Sequence, residues 1–270
     1  MIDVFGSTGF IGSRFCEMYN DEVVRVSKEC NIPDNENILY LISTVDNYNV
    51  HTDLHIDINT NLNKLMDVLE NCKDRNITFT FISSWFVYGD GPIPAKEDQP
   101  CFPKGFYSIT KKCAEDLLIS FCKTFDIKYR ILRLCNVYGK GDVKSSKKKN
   151  ALQFLIDKMK LNQDINLYHD GNFIRDYMHV DDVCRNIKLC MDKGPVNEII
   201  NIGTGNPWNF RELIDMVARK INYTGTIYSV EPTEFHKIVQ VKDHYMDCSK
   251  LNSIGGRTDI LIGDGLDPLL

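Results

Sequence analysis

Three glycines near the start of the chain restrict its fold more than any other feature. Gly6, Gly9 and Gly12 follow directly on the apolar run Ile2-Asp3-Val4-Phe5, and a helical pattern from Ser13 to Tyr19 comes after them. The stretch therefore reads as a buried strand, a Gly-x-x-Gly-x-x-Gly turn and a helix. Gly6 permits the tight turn, Gly9 lets a diphosphate approach the backbone, and Gly12 lets the helix lie close to the sheet. The first N–H groups of the helix then face the phosphates. Such spacing means little in isolation. Placed at the first strand, it predicts an open parallel α/β sheet that binds its ligand at the carboxyl ends of the strands.

The chain continues in that pattern. Glu22 to Val26 reads as a second strand, and an acidic residue at its end would hold an adenosine ribose. Ser27-Lys28 stands there instead. A hydroxyl and a cation suit a 2′-phosphate, so the sequence leans to NADP over NAD; a solvated loop is the other reading of Lys28. The polar linker Glu29 to Asn37 is too short for a crossover helix, so the third strand, Ile38 to Ile42, comes early and one βαβ crossover is trimmed away. Ile58, Leu62, Leu65, Met66 and Leu69 give helical spacing over 57–72. Ile77 to Ile82 reads as a buried strand that delivers Ser84 to a carboxyl end. A helix follows from about Phe106 to Phe121, and Tyr107 and Lys111 share one of its faces. A Lys beside a phenol favours the phenolate and makes Tyr107 a usable acid or base. Ile127 to Leu134, Ile165 to Tyr168 and Ile199 to Gly203 read as strands, Ala151 to Leu161 as a helix, and Asn209 with Glu212 as a capping box for Phe210 to Ile221. Lys147-Lys148-Lys149 reads as a solvated loop rather than a phosphate patch.

Composition excludes several classes. A net charge of -5 over 270 residues gives no reason to expect nucleic acid. The 10 cysteines are scattered through apolar runs without a C-x-x-C pair, which favours reduced thiols in a cytoplasmic protein over disulfides or zinc. No apolar run approaches the roughly 20 residues of a membrane helix, and the opening strand predicts no targeting segment.

Six motifs stand in order: Gly6-x-x-Gly9-x-x-Gly12; Ser84 with Val87-Tyr88-Gly89; Tyr107-x-x-x-Lys111; Arg133-x-x-Asn136-Val137-Tyr138-Gly139; Arg175-Asp176-Tyr177-x-His179-Val180-Asp181-Asp182; and Asn201-Ile202-Gly203-Thr204-Gly205. Together they resemble the extended short-chain dehydrogenase/reductases, the NAD-dependent epimerase/dehydratase group acting on nucleotide sugars. The resemblance runs over nearly the whole chain. It implies a Rossmann doubly wound parallel sheet over 1–165, with returning segments near 172–205. A small α+β substrate domain from 206–270 and the 140–170 loops goes with it. It implies a Ser84, Tyr107, Lys111 triad and cofactor contacts from Gly6, Thr8, Gly9, Phe10, Ile11, Gly12, Ser27, Lys28, Ile42, Ser43 and Asn59. It implies substrate contacts from Ser84, Asn136, Arg175 and Lys237, Arg175 pairing with a diphosphate. Under it, His179, Asp181 and Asp182 are structural, with no metal expected. Helices 57–72 and 108–121 would pair into a four-helix homodimer interface.

One departure narrows the reaction. The 4,6-dehydratases of this group carry Asp-Glu directly after the catalytic Ser/Thr, where this chain has Trp85-Phe86. An epimerase working through a keto-sugar is the leading expectation. An NADPH-dependent 4-keto-sugar reductase is the alternative, and a non-catalytic NAD(P)-binding module comes third.

Overall fold

The computed structural model describes residues 1–45, 47–142 and 151–270; the Lys147-Lys148-Lys149 run lies outside them. Five strands of the first half, β1 (Ile2–Phe5), β2 (Val23–Arg25), β3 (Asn37–Tyr40), β4 (Thr78–Ser84) and β5 (Lys128–Leu134), are joined by a sixth that returns much later. Along the sheet the order is β2, β1, β3, β4, β5 and then this last strand, Glu198–Ile202, every pair parallel. Their residues are almost continuously buried, polar ones such as Asp3, Thr80 and Arg133 included, because helices cover both faces. Connections from β2 to β3 pass Val26 to Glu36 without a helix, as the short polar linker predicts. Asp3, buried in β1, accepts from the N–H groups of Asp34 (2.6 Å) and Asn35 (2.8 Å) and so fastens this shortened connection.

Two cores lie against the sheet. One packs helix α1 (Phe10–Met18) beside a later helix, Val180–Lys193; the other is built from Phe5, Tyr40, Phe79 and Phe81 under the helices that follow β3 and β4. Helix α1 begins at Phe10, three residues earlier than the periodicity suggests, so the glycine turn itself supplies its first turn. Gly6 sits at φ +85°, and a Cβ on Gly12 would come within 2.2 Å of the Gly6 carbonyl oxygen. The segment expected as one helix over 57–72 is instead α2 (Ile56–Ile58), a π turn (Asn59–Asn63) and α3 (Lys64–Glu70). Helix α4 (Gly105–Thr124) is longer than expected at both ends.

A third core gathers Tyr138, Tyr177, helix α5 (Ala151–Lys160) and further helices at Phe210–Ile221 and Ile262–Leu266. Short strand pairs frame it: β6 (Asn136–Tyr138) with Tyr177–His179, β7 (Ile165–Tyr168) with Ile227–Val230, and β8 (Ile174–Arg175) with Trp208–Asn209. Asn209 does cap its helix, its side chain accepting from the Arg211 N–H at 2.9 Å. Within the first core, Arg14 of α1 donates to Asp181 of the helix Val180–Lys193 at 2.6 and 2.9 Å. No helix among the described residues is long and apolar enough to cross a membrane.

Candidate active site

A cleft of about 760 Å³ opens along the carboxyl ends of the sheet strands. Its wall includes Gly6, Gly9, Phe10, Ile11 and Gly12 from the first turn, Ser43 after β3, Ser83 to Phe86 after β4, Tyr107 and Lys111 on α4, Asn136 on β6 and Arg175 on β8. Residues that are far apart in sequence thus meet because each parallel strand ends on the same side of the sheet.

The glycine turn is shaped for a ligand as well as for folding. A Cβ at Gly9 meets nothing closer than the Gly6 oxygen at 3.4 Å, so its bareness leaves open space beside the N-terminus of α1. Thr8 is exposed at the turn. Ser27 and Lys28 are exposed beyond the end of β2, and Ile42 packs into the core under α3 and α4. The sequence reading missed Arg25, whose guanidinium reaches back from β2 to donate to the Ser7 carbonyl at 3.1 Å. That brings a cation onto the glycine turn itself.

Ser84 ends β4 and caps the one-turn helix Trp85–Tyr88, its Oγ accepting from the Phe86 N–H at 3.3 Å. Tyr107 lies in the first turn of α4. Its N–H donates to Asn47 Oδ1 at 3.1 Å, and the Phe86 ring stands edge-on to the phenol at 5.9 Å. Lys111, one turn on, is buried; its Nζ donates to the Ile82 carbonyl at 2.6 Å and lies 4.0 Å from the centre of the Phe81 ring. Burial pushes this ammonium down to about 7, while the carboxylate of Glu115 pulls the other way. Lys111 is therefore poised to carry or to release its proton near neutrality.

Asn59 is exposed and its Oδ1 accepts from Asn63 at 2.9 Å. Asn61 is the residue turned inward: it accepts from Ser43 Oγ (3.1 Å) and the Thr44 N–H (2.8 Å), and donates to Thr110 on α4 at 2.9 Å. A π turn holds more residues than an α turn, so the inward face shifts within this segment. Regular helical spacing could not show which asparagine turns inward.

Arg175 is buried and faces carbonyls rather than carboxylates. It donates to Ile174 at 2.8 Å and to the carbonyls of Val241 and Lys242, and its guanidinium lies 5.0 Å from the rings of both Trp85 and Phe173. Burial lowers it to about 10. His244 stacks on Trp85 at 4.6 Å, and burial beside Arg175 holds it neutral, near 3. The aromatic residues in the place of a dehydratase's acid pair thus form a packed wall next to Arg175. Asn136 donates to the Asp176 carbonyl at 3.0 Å. Lys237 reaches the cleft rim exposed, its ammonium paired with Glu234 at 2.8 Å.

Charge in the cleft runs opposite to the chain as a whole. Its described walls carry Lys104, Lys111, Lys158, Arg175, Lys237 and Lys242 against two carboxylates, Asp90 and Asp142. His179, Asp181 and Asp182 belong to another task. The His179 ring caps helix 180–193 by accepting from the Asp181 N–H at 3.2 Å, Asp181 holds Arg14, and Asp182 pairs with Arg185 at 2.6 Å. Among the described residues, no group of three or more His, Cys, Asp or Glu is placed to hold a metal ion.

Comparison with known proteins agrees with this geometry. A Methanocaldococcus jannaschii protein named for UDP-glucose 4-epimerase activity is 29% identical over 245 residues, covering 89% of this chain and 78% of its own. The dTDP-4-dehydro-6-deoxyglucose reductase of Escherichia coli is 24% identical, covering 99% and 95%. Among solved structures, UDP-glucose 4-epimerase of Thermotoga maritima with UDP-glucose superposes with a TM-score of 0.88 at 23% identity, over 98% of this chain and 96% of that one. Residues 2–203 match the model of the NAD dependent epimerase/dehydratase family, and the chain belongs to that family.

Proposed function

We propose that the protein is an NAD(P)-dependent nucleotide-sugar epimerase that works through a keto-sugar intermediate. The observation that carries this reading is the single cleft in which Ser84, Tyr107 and Lys111 meet the glycine turn and Arg175, with Trp85 and Phe86 after Ser84 where an elimination would need acids. The dinucleotide fits the residues present: Gly9 leaves space at the N-terminus of α1, and Ser43 lines the path from there to Lys111. When bound there, the nicotinamide supplies hydride acceptance and return.

The chain's own residues do the rest. Tyr107 Oη takes the proton of a sugar hydroxyl as the carbon is oxidised and returns it when the opposite face is reduced. Ser84 Oγ bonds the same oxygen and keeps it against Tyr107. Lys111, cationic, favours the phenolate. Arg175 pairs with the sugar-nucleotide diphosphate, helped by the cation-rich wall. Asn136 faces the sugar. Residues 1–165, with the returning segments near 172–205, form the cofactor domain in this reading, Asn136 and Arg175 reaching from it towards the substrate, and 206–270 with the described part of 140–170 form the substrate domain.

NADP is the favoured dinucleotide in this reading, supported by Arg25 on the glycine turn and by Ser27-Lys28 following β2 in place of an acidic residue. That same observation favours a second reading, an NADPH-dependent 4-keto-sugar reductase. We also assign the protein to the cytoplasm, where its ten free thiols suit a reducing medium. A homodimer would form through the apolar faces of α2 to α4, where Ile58, Ile109 and Leu117 are exposed.

Incubation with UDP-, dTDP- and GDP-sugars, read by NMR and by absorbance of the reduced nicotinamide, tests these readings. Sugar turnover without net cofactor change supports the epimerase. Stoichiometric oxidation of NADPH with a 4-keto-sugar supports the reductase. Tight dinucleotide binding with no turnover of any sugar sinks both.

A further inference from the structure

Helix α4 carries a second buried charge, one turn beyond Lys111, that the proton chemistry above leaves without a role. Glu115 is fully buried and holds Arg133 with two bonds, Nε to Oε1 at 3.0 Å and Nη2 to Oε2 at 2.7 Å. Arg133 is the last residue but one of β5, paired in register with Ser83 of β4. Its guanidinium lies 4.6 Å from the centre of the Tyr88 ring, at the far end of the turn that Ser84 opens, and its Nη1 donates to the Glu97 carbonyl at 3.4 Å. The Tyr88 hydroxyl in turn donates to Asn201 on the last sheet strand at 2.6 Å. One buried chain of contacts therefore runs from the helix of Tyr107 and Lys111 to the turn of Ser84.

Stability alone does not account for such a pair, because a buried ion pair is commonly no more stabilising than well-packed apolar residues. Its placement is more telling. Tyr107, Lys111 and Glu115 recur every four residues and share one face of α4, where neighbours at that spacing stand about 5–6 Å apart. Around Lys111, β4 contributes an aromatic ring and a carbonyl but no charge, and α4 contributes Tyr107 and Glu115. Around the Glu115–Arg133 pair, the segment after β4 contributes Cys101 near both partners, and Tyr88 and the Glu97 carbonyl against Arg133. Glu115 is the carboxylate whose field reaches the Lys111 ammonium.

We propose that Glu115, clamped by Arg133, is a positioning residue that keeps Lys111 an ammonium beside Tyr107 and locks α4 against the Ser84 turn. The inference deepens the functional reading above and rests on it for its catalytic consequence.

The test follows the Lys111 ammonium directly, by lysine side-chain ¹⁵N NMR titration of the full chain, with Lys111→Met to assign the signal. In Glu115→Gln the Lys111 midpoint falls by about one pH unit. The alkaline limb of kcat moves down with it, while KM for the sugar changes less than about twofold. The double variant Glu115→Leu/Arg133→Met leaves no orphan charge, stays folded and shows the same displacement. A Lys111 midpoint unchanged in either folded variant overturns the proposal, and so does an unmoved alkaline limb in an active one. A displaced midpoint in a protein that turns over no sugar supports the coupling and overturns the enzyme reading instead.

Discussion

The two walls of the cleft are built on different principles. On the side we propose for the cofactor, the parallel strands of one six-stranded sheet end in turns whose backbone is fixed by packing: Gly12 cannot carry a Cβ, and Ser84 and Tyr107 are each set by a backbone N–H contact. On the side we propose for the substrate, isolated two-stranded pairs of two to four residues per strand frame a separate core. The key cation there, Arg175, is held by the carbonyls of Ile174, Val241 and Lys242 and by aromatic rings. A rigid half can serve chemistry common to many sugars, while a wall made of loops and short pairs can change its specificity without disturbing the hydride geometry.

Breaking the chemistry on the rigid side should have the largest effect. Tyr107→Phe should lower kcat by about 10²–10⁴-fold and leave dinucleotide affinity within a few-fold, measured by turnover and by fluorescence titration of the bound cofactor. Damage on the other wall should be smaller and of another kind. Arg175→Met removes charge-assisted bonds of about 1.5–3 kcal/mol, so KM for a nucleotide sugar should rise about 10–150-fold while cofactor affinity holds. If cofactor affinity fell as far, the two walls would not be separable.

The glycines sharpen the contrast within the cofactor wall. Gly12→Ala drives a Cβ into the Gly6 carbonyl and should cost about 1–3 kcal/mol of stability. Gly9→Ala makes an ordinary contact, so its melting temperature should stay within about 2 °C while dinucleotide affinity falls. Calorimetry with and without cofactor separates the two effects.

Lys111→Met should trade function for stability. Burial puts the folded Lys111 near 7, below its ordinary 10.5, so the unfolded chain binds more protons between those values and stability rises with pH across that window. The cost of the buried ammonium is fully present below about 7 and fades as pH rises towards 10.5. The variant should melt a few degrees higher than wild type at pH 7 and below, an advantage that disappears by about pH 10. The smallest effect is expected at the rim: Lys237→Ala, which frees Glu234 in solvent, should change KM by less than about threefold.

The amino-acid sequence by itself determined the parallel sheet, the missing crossover and the face shared by Tyr107 and Lys111. These rest on local rules, namely strand and helix periodicity, glycine's freedom from a side chain and the four-residue repeat of a helix, and local rules are written in neighbouring residues. Tertiary structure alone decided that Asn61 rather than Asn59 turns inward, because a π turn shifts the face of the segment. It also brought Arg25 back over the first turn, set Arg175 among carbonyls and aromatic rings, and joined Glu115 to the Ser84 turn through Arg133. Each of these joins residues distant in the chain or depends on burial, and burial changes the charge a side chain carries by removing the water that the sequence cannot describe.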